Sequence, residues 1–328
     1  MLAFVIRRLL QSILVMLAVA FIAFSLFNFV GDPVSLMLPP EATAADRAEV
    51  RAHLGLDQPF YVQFAAFVEN ALHGNFGISL RLGRPVSQLL IERLPATLEL
   101  ASLGAVLGLL VGIPLGIYTA LRRESWTSRA LLTTSLIGVS LPNFLIGIFL
   151  ILIFAVWLGW LPSFGRGDVT QIGFWSTGFL TSSGLKAILL PGITLGMYPV
   201  TLVMRLVRAE MLEVLRTDYI KFAKARGLTD RTIYFGHALK NTLVPVITIT
   251  GLTLGELIAF AIITESVFQW PGMGLLFIQA VQFADIPVMA AYLCLIGLIF
   301  VLVNLTVDVL YYVVDPRLRA DNTGRAGH

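Results

Sequence analysis

Four acids stand within or at the edges of long apolar runs: Glu99, Glu256, Glu265 and Asp308. Ionisable groups inside a bilayer are functional candidates by default, because burying an isolated charge is expensive. Glu99 and Glu265 fall near the ends of their runs, where water reaches them. Asp308 follows Asn304 by one helical turn, near the end of the last run, a spacing that suits a hydrogen bond to another helix. Glu256 lies in the middle of its run, one residue after Gly255. Two readings of it stand: an acid that lines a pathway and meets a cationic group, or a neutral side chain hydrogen-bonded in a packed interface.

Other chemistry is absent from the sequence. A phosphate-binding loop needs Lys followed by Ser or Thr. Lys186, Lys221, Lys224 and Lys240 are followed by Ala187, Phe222, Ala225 and Asn241, so this chain has no such route to ATP. His53, His73, His237 and His328 make no metal-binding spacing, and no metal site is expected. Cys294, the single cysteine, allows no disulfide within the chain. No Gly-x-Ser-x-Gly nucleophile elbow occurs, and nothing resembles an active site.

The acids must be positioned by membrane spans. Of the 328 residues, 13% are charged, and mean hydropathy is +0.85; soluble domains carry about 25% charge. The expected fold is an all-α polytopic membrane protein. Spans need roughly 20 apolar residues, and six are expected, near 9–30, 98–121, 131–158, 187–207, 242–267 and 286–312. The first is too long for a cleaved leader and is read as retained. The units are a first span at 1–30, an outer helical loop at 31–97, a core at 98–312 and a tail at 313–328. Helical patterns near 43–55, 59–72 and 85–93 make the loop a small cap. With both termini in the cytoplasm, most of the 23 Lys and Arg lie on the cytoplasmic side. A net charge of +3 gathered beside membrane spans gives no reason to expect nucleic acid.

Gly104, Gly108, Gly112 and Gly116 share one helical face, and Gly251 and Gly255 repeat the spacing. Such faces let helix backbones approach, so these are packing seams. Pro114, Pro142, Pro191, Pro199 and Pro245 fall in or at the ends of spans, where neighbouring helices satisfy the freed carbonyls. The basic segment 209–241 holds Lys221, Lys224 and Lys240 between two spans. Asp218 to Arg226 reads as a short amphipathic helix, ended by Gly227, with Thr229 or Asp230 able to cap the next helix. It is either an element that docks on a soluble partner or a set of cations that obeys the positive-inside rule.

This segment resembles the cytoplasmic EAA loop of ABC importer permeases, E-A-A-x3-G-x9-I-x-L-P. With the glycine on Gly227, E-A-A falls on Lys221, Phe222 and Ala223, and only Ala223, Gly227 and Leu239 match. The departures are those of the peptide/nickel branch: Asp218-Tyr219, Ala223, Ala225, Gly227-Leu228, then His237-Ala238-Leu239-Lys240-Asn241. Further resemblances are Gly55-Leu56-Asp57-Gln58-Pro59, Gly74-Asn75-Phe76-Gly77-Ile78-Ser79, Ser140-Leu141-Pro142-Asn143-Phe144, Glu265 through Gly274, and Asp315-Pro316-Arg317. Together they resemble the first permease subunit of dipeptide and oligopeptide importers. The resemblance implies a type I ABC importer fold in a bacterial inner membrane. It implies a second homologous permease, two cytoplasmic ATPases that carry ATP and Mg, an external binding protein, surrounding lipid, and no cofactor on this chain. Asp218, Tyr219, Lys221, Phe222, Ala223, Lys224, Ala225, Arg226 and Gly227 would form the coupling helix. Substrates on this scaffold are peptides or, alternatively, nickel, glutathione or opines. A proton-coupled secondary transporter using Glu256 or Asp308 is the competing class.

Overall fold

The structure is a computed structural model that describes residues 2–29, 43–53 and 57–314. The tail motif Asp315-Pro316-Arg317 lies outside the described residues. The helices are α1 (Leu2–Phe29), α2 (Ala44–His53), α3 (Phe60–Leu72), α4 (Val86–Leu121), α5 (Trp126–Ser135), α6 (Ile137–Ser140) and α7 (Asn143–Leu150). A π-helical stretch at Ile151–Trp157 continues α7. A two-stranded antiparallel hairpin follows, β1 (Thr170–Ile172) with β2 (Trp175–Thr177). Then come α8 (Ser182–Val214), α9 (Asp218–Ala225), α10 (Leu239–Val267), α11 (Met273–Gln282) and α12 (Ile286–Val314).

Among the described residues, five helices are long and apolar enough to cross a membrane. The third expected span is different. It breaks between Ser140 and Asn143, and its halves meet at 109°. Pro142 causes the break: it has no N–H to continue the helix, and it pushes Leu141 out of helical geometry. The second span also departs from expectation. Its helix starts at Val86, so the pattern at 85–93 is the first part of α4, not a separate helix of the cap. α4 runs through Pro95 and Pro114. α2 is opened by a capping box in which Thr43 Oγ1 accepts from the Asp46 N–H at 3.2 Å and the Thr43 N–H donates to Asp46 at 2.9 Å. The hydroxyl and amide of Thr43 hold the Asp46 carboxyl below its usual range.

α4 and α8 pack along their length and form the centre of the bundle, with α10 and α12 against them. The glycine seam of α4 is where α8 comes closest. A Cβ added at Gly116 would lie 2.6 Å from Val207 Cβ, and one at Gly108 would lie 2.9 Å from Pro199 Cβ. Gly112 faces Val203, and Gly104 faces Leu195 and Gly196. Gly251 and Gly255 of α10 face Val307 and Phe300 of α12. α1 packs on α12.

Candidate functional site

One end of the bundle is built around polar contacts on a single turn of α4, from Ala96 to Glu99. Trp270 is fully buried and donates from Nε1 to the Ala96 carbonyl at 2.9 Å. The next residue, Thr97, donates its hydroxyl to Glu265 Oε1 at 2.6 Å and accepts from the Met273 N–H at 2.8 Å. The other oxygen of Glu265 accepts from the Leu275 N–H at 2.9 Å. Glu265 thus caps the amino end of α11, where a carboxylate complements the free amides and the helix dipole. Gly272 lies so close to the Glu265 carboxylate that any side chain there would displace it.

Glu99 is clamped in the same way by the hairpin loop. Arg166 donates to it at 2.7 Å, with both side chains buried. Arg166 also donates to the Ser176 hydroxyl and carbonyl, at 3.0 and 2.6 Å. Asp285, likewise buried, accepts from the Ser79 hydroxyl and from the Leu80 N–H at 3.2 Å. It pins the turn before α4 to the corner between α11 and α12. The expectation that Glu99 and Glu265 are wetted is therefore wrong. Both are buried, at 3% and 0% exposure: the loop that carries Arg166 folds back over Glu99, and Glu265 is enclosed by Thr97 of α4 and the turn that leads into α11.

The opposite end carries the basic segment. α9 buries Ile220 and Ala223, three residues apart, in a cluster with Val207, Met211, Ile233 and Ala238. Its other face is open: Phe222 is 64% exposed, and Tyr219, Lys221 and Lys224 are also exposed. The helix stops in a Schellman turn. The Gly227 N–H donates to Lys224 O at 2.9 Å, the Leu228 N–H donates to Ala223 O at 3.3 Å, and Gly227 has φ +76°. Arg226 lies over the Phe222 ring, 5.8 Å from its centroid. Asn241 Nδ2 donates to the Tyr219 hydroxyl at 2.7 Å, which ties α9 to the base of α10. Thr229 Oγ1 accepts weakly from the Thr232 N–H at 3.4 Å, opening the π-helical turn Thr232–Ala238 that runs into α10. Burial and the neighbouring Asp230 raise the Tyr234 hydroxyl above its usual value.

The remaining sequence candidates separate. Asp308 pairs with Arg8 of α1 at 3.0 Å, beside a small cleft that Asn304 also lines. Glu256 is exposed, mid-helix on α10. No group of His, Cys, Asp and Glu that could hold a metal occurs among the described residues. Sequence reasoning missed Arg166, Thr97 and Asp285. Thr97 is adjacent to no motif, and Arg166 reads as an ordinary loop cation. The Asp218-Tyr219 and Asn241 positions were singled out as parts of one motif, but their contact was not foreseen.

Comparison with known proteins agrees with this architecture. Residues 112–320 match the family described as "Binding-protein-dependent transport system inner membrane component", and residues 1–101 match its amino-terminal counterpart. The dipeptide transport system permease protein DppB of Alkalihalophilus pseudofirmus is 36% identical over 97% of this chain and 100% of its own length. The oligopeptide transport system permease protein AppB of Bacillus subtilis is 37% identical, and the glutathione transport system permease protein GsiC of Shigella flexneri is 38% identical. Each match covers 97% of this chain and 99% of the relative. A chain of the inward-facing MetNI methionine ABC transporter shares the fold, with a TM-score of 0.55 at 20% identity, over 69% of this chain and 96% of that one.

Proposed function

This chain belongs to the family of binding-protein-dependent transport system inner membrane components, and from that premise we propose that it is the permease subunit of a peptide importer. It is a multi-pass protein of the bacterial inner membrane, and systems of its family work with an ATPase and a substrate-binding protein. In this reading the solute crosses by alternating access. A second homologous permease completes the pathway as a heterodimer, and two ATPase subunits hold ATP and Mg. This chain hydrolyses nothing and binds no cofactor. Both termini and the basic segment face the cytoplasm.

The observation that carries the reading is α9. It is welded to the bundle by Ile220 and Ala223, yet it presents Phe222 and its cations outward. A short helix with one anchored face and one open face can transmit a push without losing its own shape. ATP-driven closure of the ATPases would move it and shift the population between inward-open and outward-open states. The exposed aromatic is the natural anchor of such a contact. The glutathione permease among the relatives favours a second reading, the same machine with that thiol peptide as cargo.

The test is Phe222→Asp in the assembled importer in proteoliposomes. Burying the new charge against the ATPase should lower ATP-dependent peptide uptake by about tenfold or more, with membrane insertion unaffected. Uptake at the unaltered rate would remove α9 from coupling. Peptide movement by the purified chain alone, on a proton gradient, would replace the reading with secondary transport.

A further inference from the structure

Of the four acids within or at the edges of the apolar runs, three are answered inside this chain. Glu99 meets Arg166, Glu265 meets Thr97 and the Leu275 amide, and Asp308 meets Arg8. Glu256 is different. Its side chain is exposed roughly three turns from the nearer end of α10, and it makes no hydrogen bond or ion pair with any described residue. The rest of the helix is spoken for. Gly255 abuts Phe300 of α12, and Leu257, Ile258 and Ala261 are buried in the core against α4 and α8. What looks outward is a stripe four residues apart, Leu252, Glu256 and Phe260, continued by Ile263. Glu256 is the one charge on an otherwise apolar stripe.

Acids within spans face a bundle interior or a water-filled cavity, not lipid. This stripe is therefore covered by the complete transporter, and a lone carboxylate on an apolar wall is complementary to a cation. Resting on the peptide-permease reading, we infer that Glu256 lines the translocation pathway and favours passage of the cationic groups of a peptide, its α-ammonium and any Lys or Arg side chain. Glu256 acts as an attractive charge that a passing ammonium meets partway across, and its apolar neighbours keep that contact weak enough to release. Peptides with more positive charge are thereby passed faster.

The test uses the full importer with its own binding protein in proteoliposomes and three peptides: Ala-Lys-Ala, its side-chain-acetylated form, and Ala-Glu-Ala. Each variant rate is divided by the parent rate for the same peptide, so selection by the binding protein cancels. Glu256→Gln should lower the ratio for Ala-Lys-Ala about tenfold below that for Ala-Glu-Ala, with the acetylated peptide between them. Glu256→Lys should widen the gap in the same order. Equal ratios for all three peptides would overturn the inference. So would loss of the partner subunits on purification of Glu256→Gln, which would make Glu256 an assembly contact. If the parent importer moves none of the three, the peptide reading itself falls and this inference with it. If the parent moves them and the variants do not discriminate, only the role of Glu256 falls.

Discussion

The two ends of the bundle use the same turn with different residues. At the basic end, α9 closes in a Schellman turn with glycine in the left-handed position, Gly227 at φ +76°. At the clamped end, α10 and α11 close with the same hydrogen-bond pattern. The Trp270 N–H donates to Glu265 O at 2.8 Å, and the Asp285 N–H donates to Ala280 O at 2.8 Å. The left-handed residues there are Gln269 (φ 46°) and Ala284 (φ 53°). Such backbone costs on the order of 1–2 kcal/mol for a residue with a Cβ. It persists where surrounding contacts over-determine it, and here they do: Glu265 and Asp285, the acids beside those turns, are buried and fully engaged. The clamped end is held by side-chain networks strong enough to carry strain. At the basic end, α9 is tied to the bundle by the buried Ile220 and Ala223 side chains and the Tyr219–Asn241 hydrogen bond, and its turn is unstrained. The second construction suits the coupling role proposed for α9, and the first suits a fixed cap.

The largest expected effect tests that contrast directly. Arg166→Ala leaves Glu99 buried without its cation, and breaking one side of a buried pair costs about 3–5 kcal/mol. Lys221→Ala removes an ion pair of similar length, 2.8 Å to Asp218, but both partners are largely exposed. That change should alter stability by no more than about 0.5 kcal/mol. Thermal unfolding of the two purified variants in detergent should show a large drop for the first and almost none for the second. Comparable drops would mean that the ends are held alike.

That difference was only half legible in the sequence. Long apolar runs and the four-residue spacing of Gly104 to Gly116 are local signals, so the helices and the small-residue face of α4 could be read. That α8 is the partner could not. Gly227 was legible for the same reason, since a helix stop is written in neighbouring residues. Glu99 and Arg166 are 67 positions apart. Nothing local says that a loop cation returns to a helix end, and the rule that acids at span ends are wet pointed the wrong way. The bend at Pro142 was visible as a proline but not as a break. The tertiary contacts decide these cases, and the hydrophobic pattern is silent about them.

An exchange of turn residues gives a smaller and signed effect. Gly227→Ala forces a Cβ into left-handed backbone and should destabilise by about 1 kcal/mol. Ala284→Gly relieves the same strain but adds freedom to the unfolded chain, so it should stabilise by a few tenths of a kcal/mol up to about 1. Opposite shifts in melting temperature would support the reading of the clamped end as a strained cap. A drop for Ala284→Gly as large as that for Gly227→Ala would show that the methyl group at 284 does more than tolerate its backbone.

The smallest expected effect bears on the coupling proposed for α9. Tyr219 lies in the first turn of α9 and Asn241 at the end of the basic segment, and their contact spans the loop that Gly227 turns. It is an exposed hydrogen bond, so Tyr219→Phe should cost no more than about 0.5–1.5 kcal/mol in stability. If the bond carries the motion of α9 into α10, its loss should lower peptide moved per ATP hydrolysed more than it lowers ATP hydrolysis. Asn241→Leu should do the same, and the double variant should be no worse than either single, because each removes the same contact. Additive losses would mean that the two side chains act separately, and α9 would then be steered by its Ile220 and Ala223 seam alone.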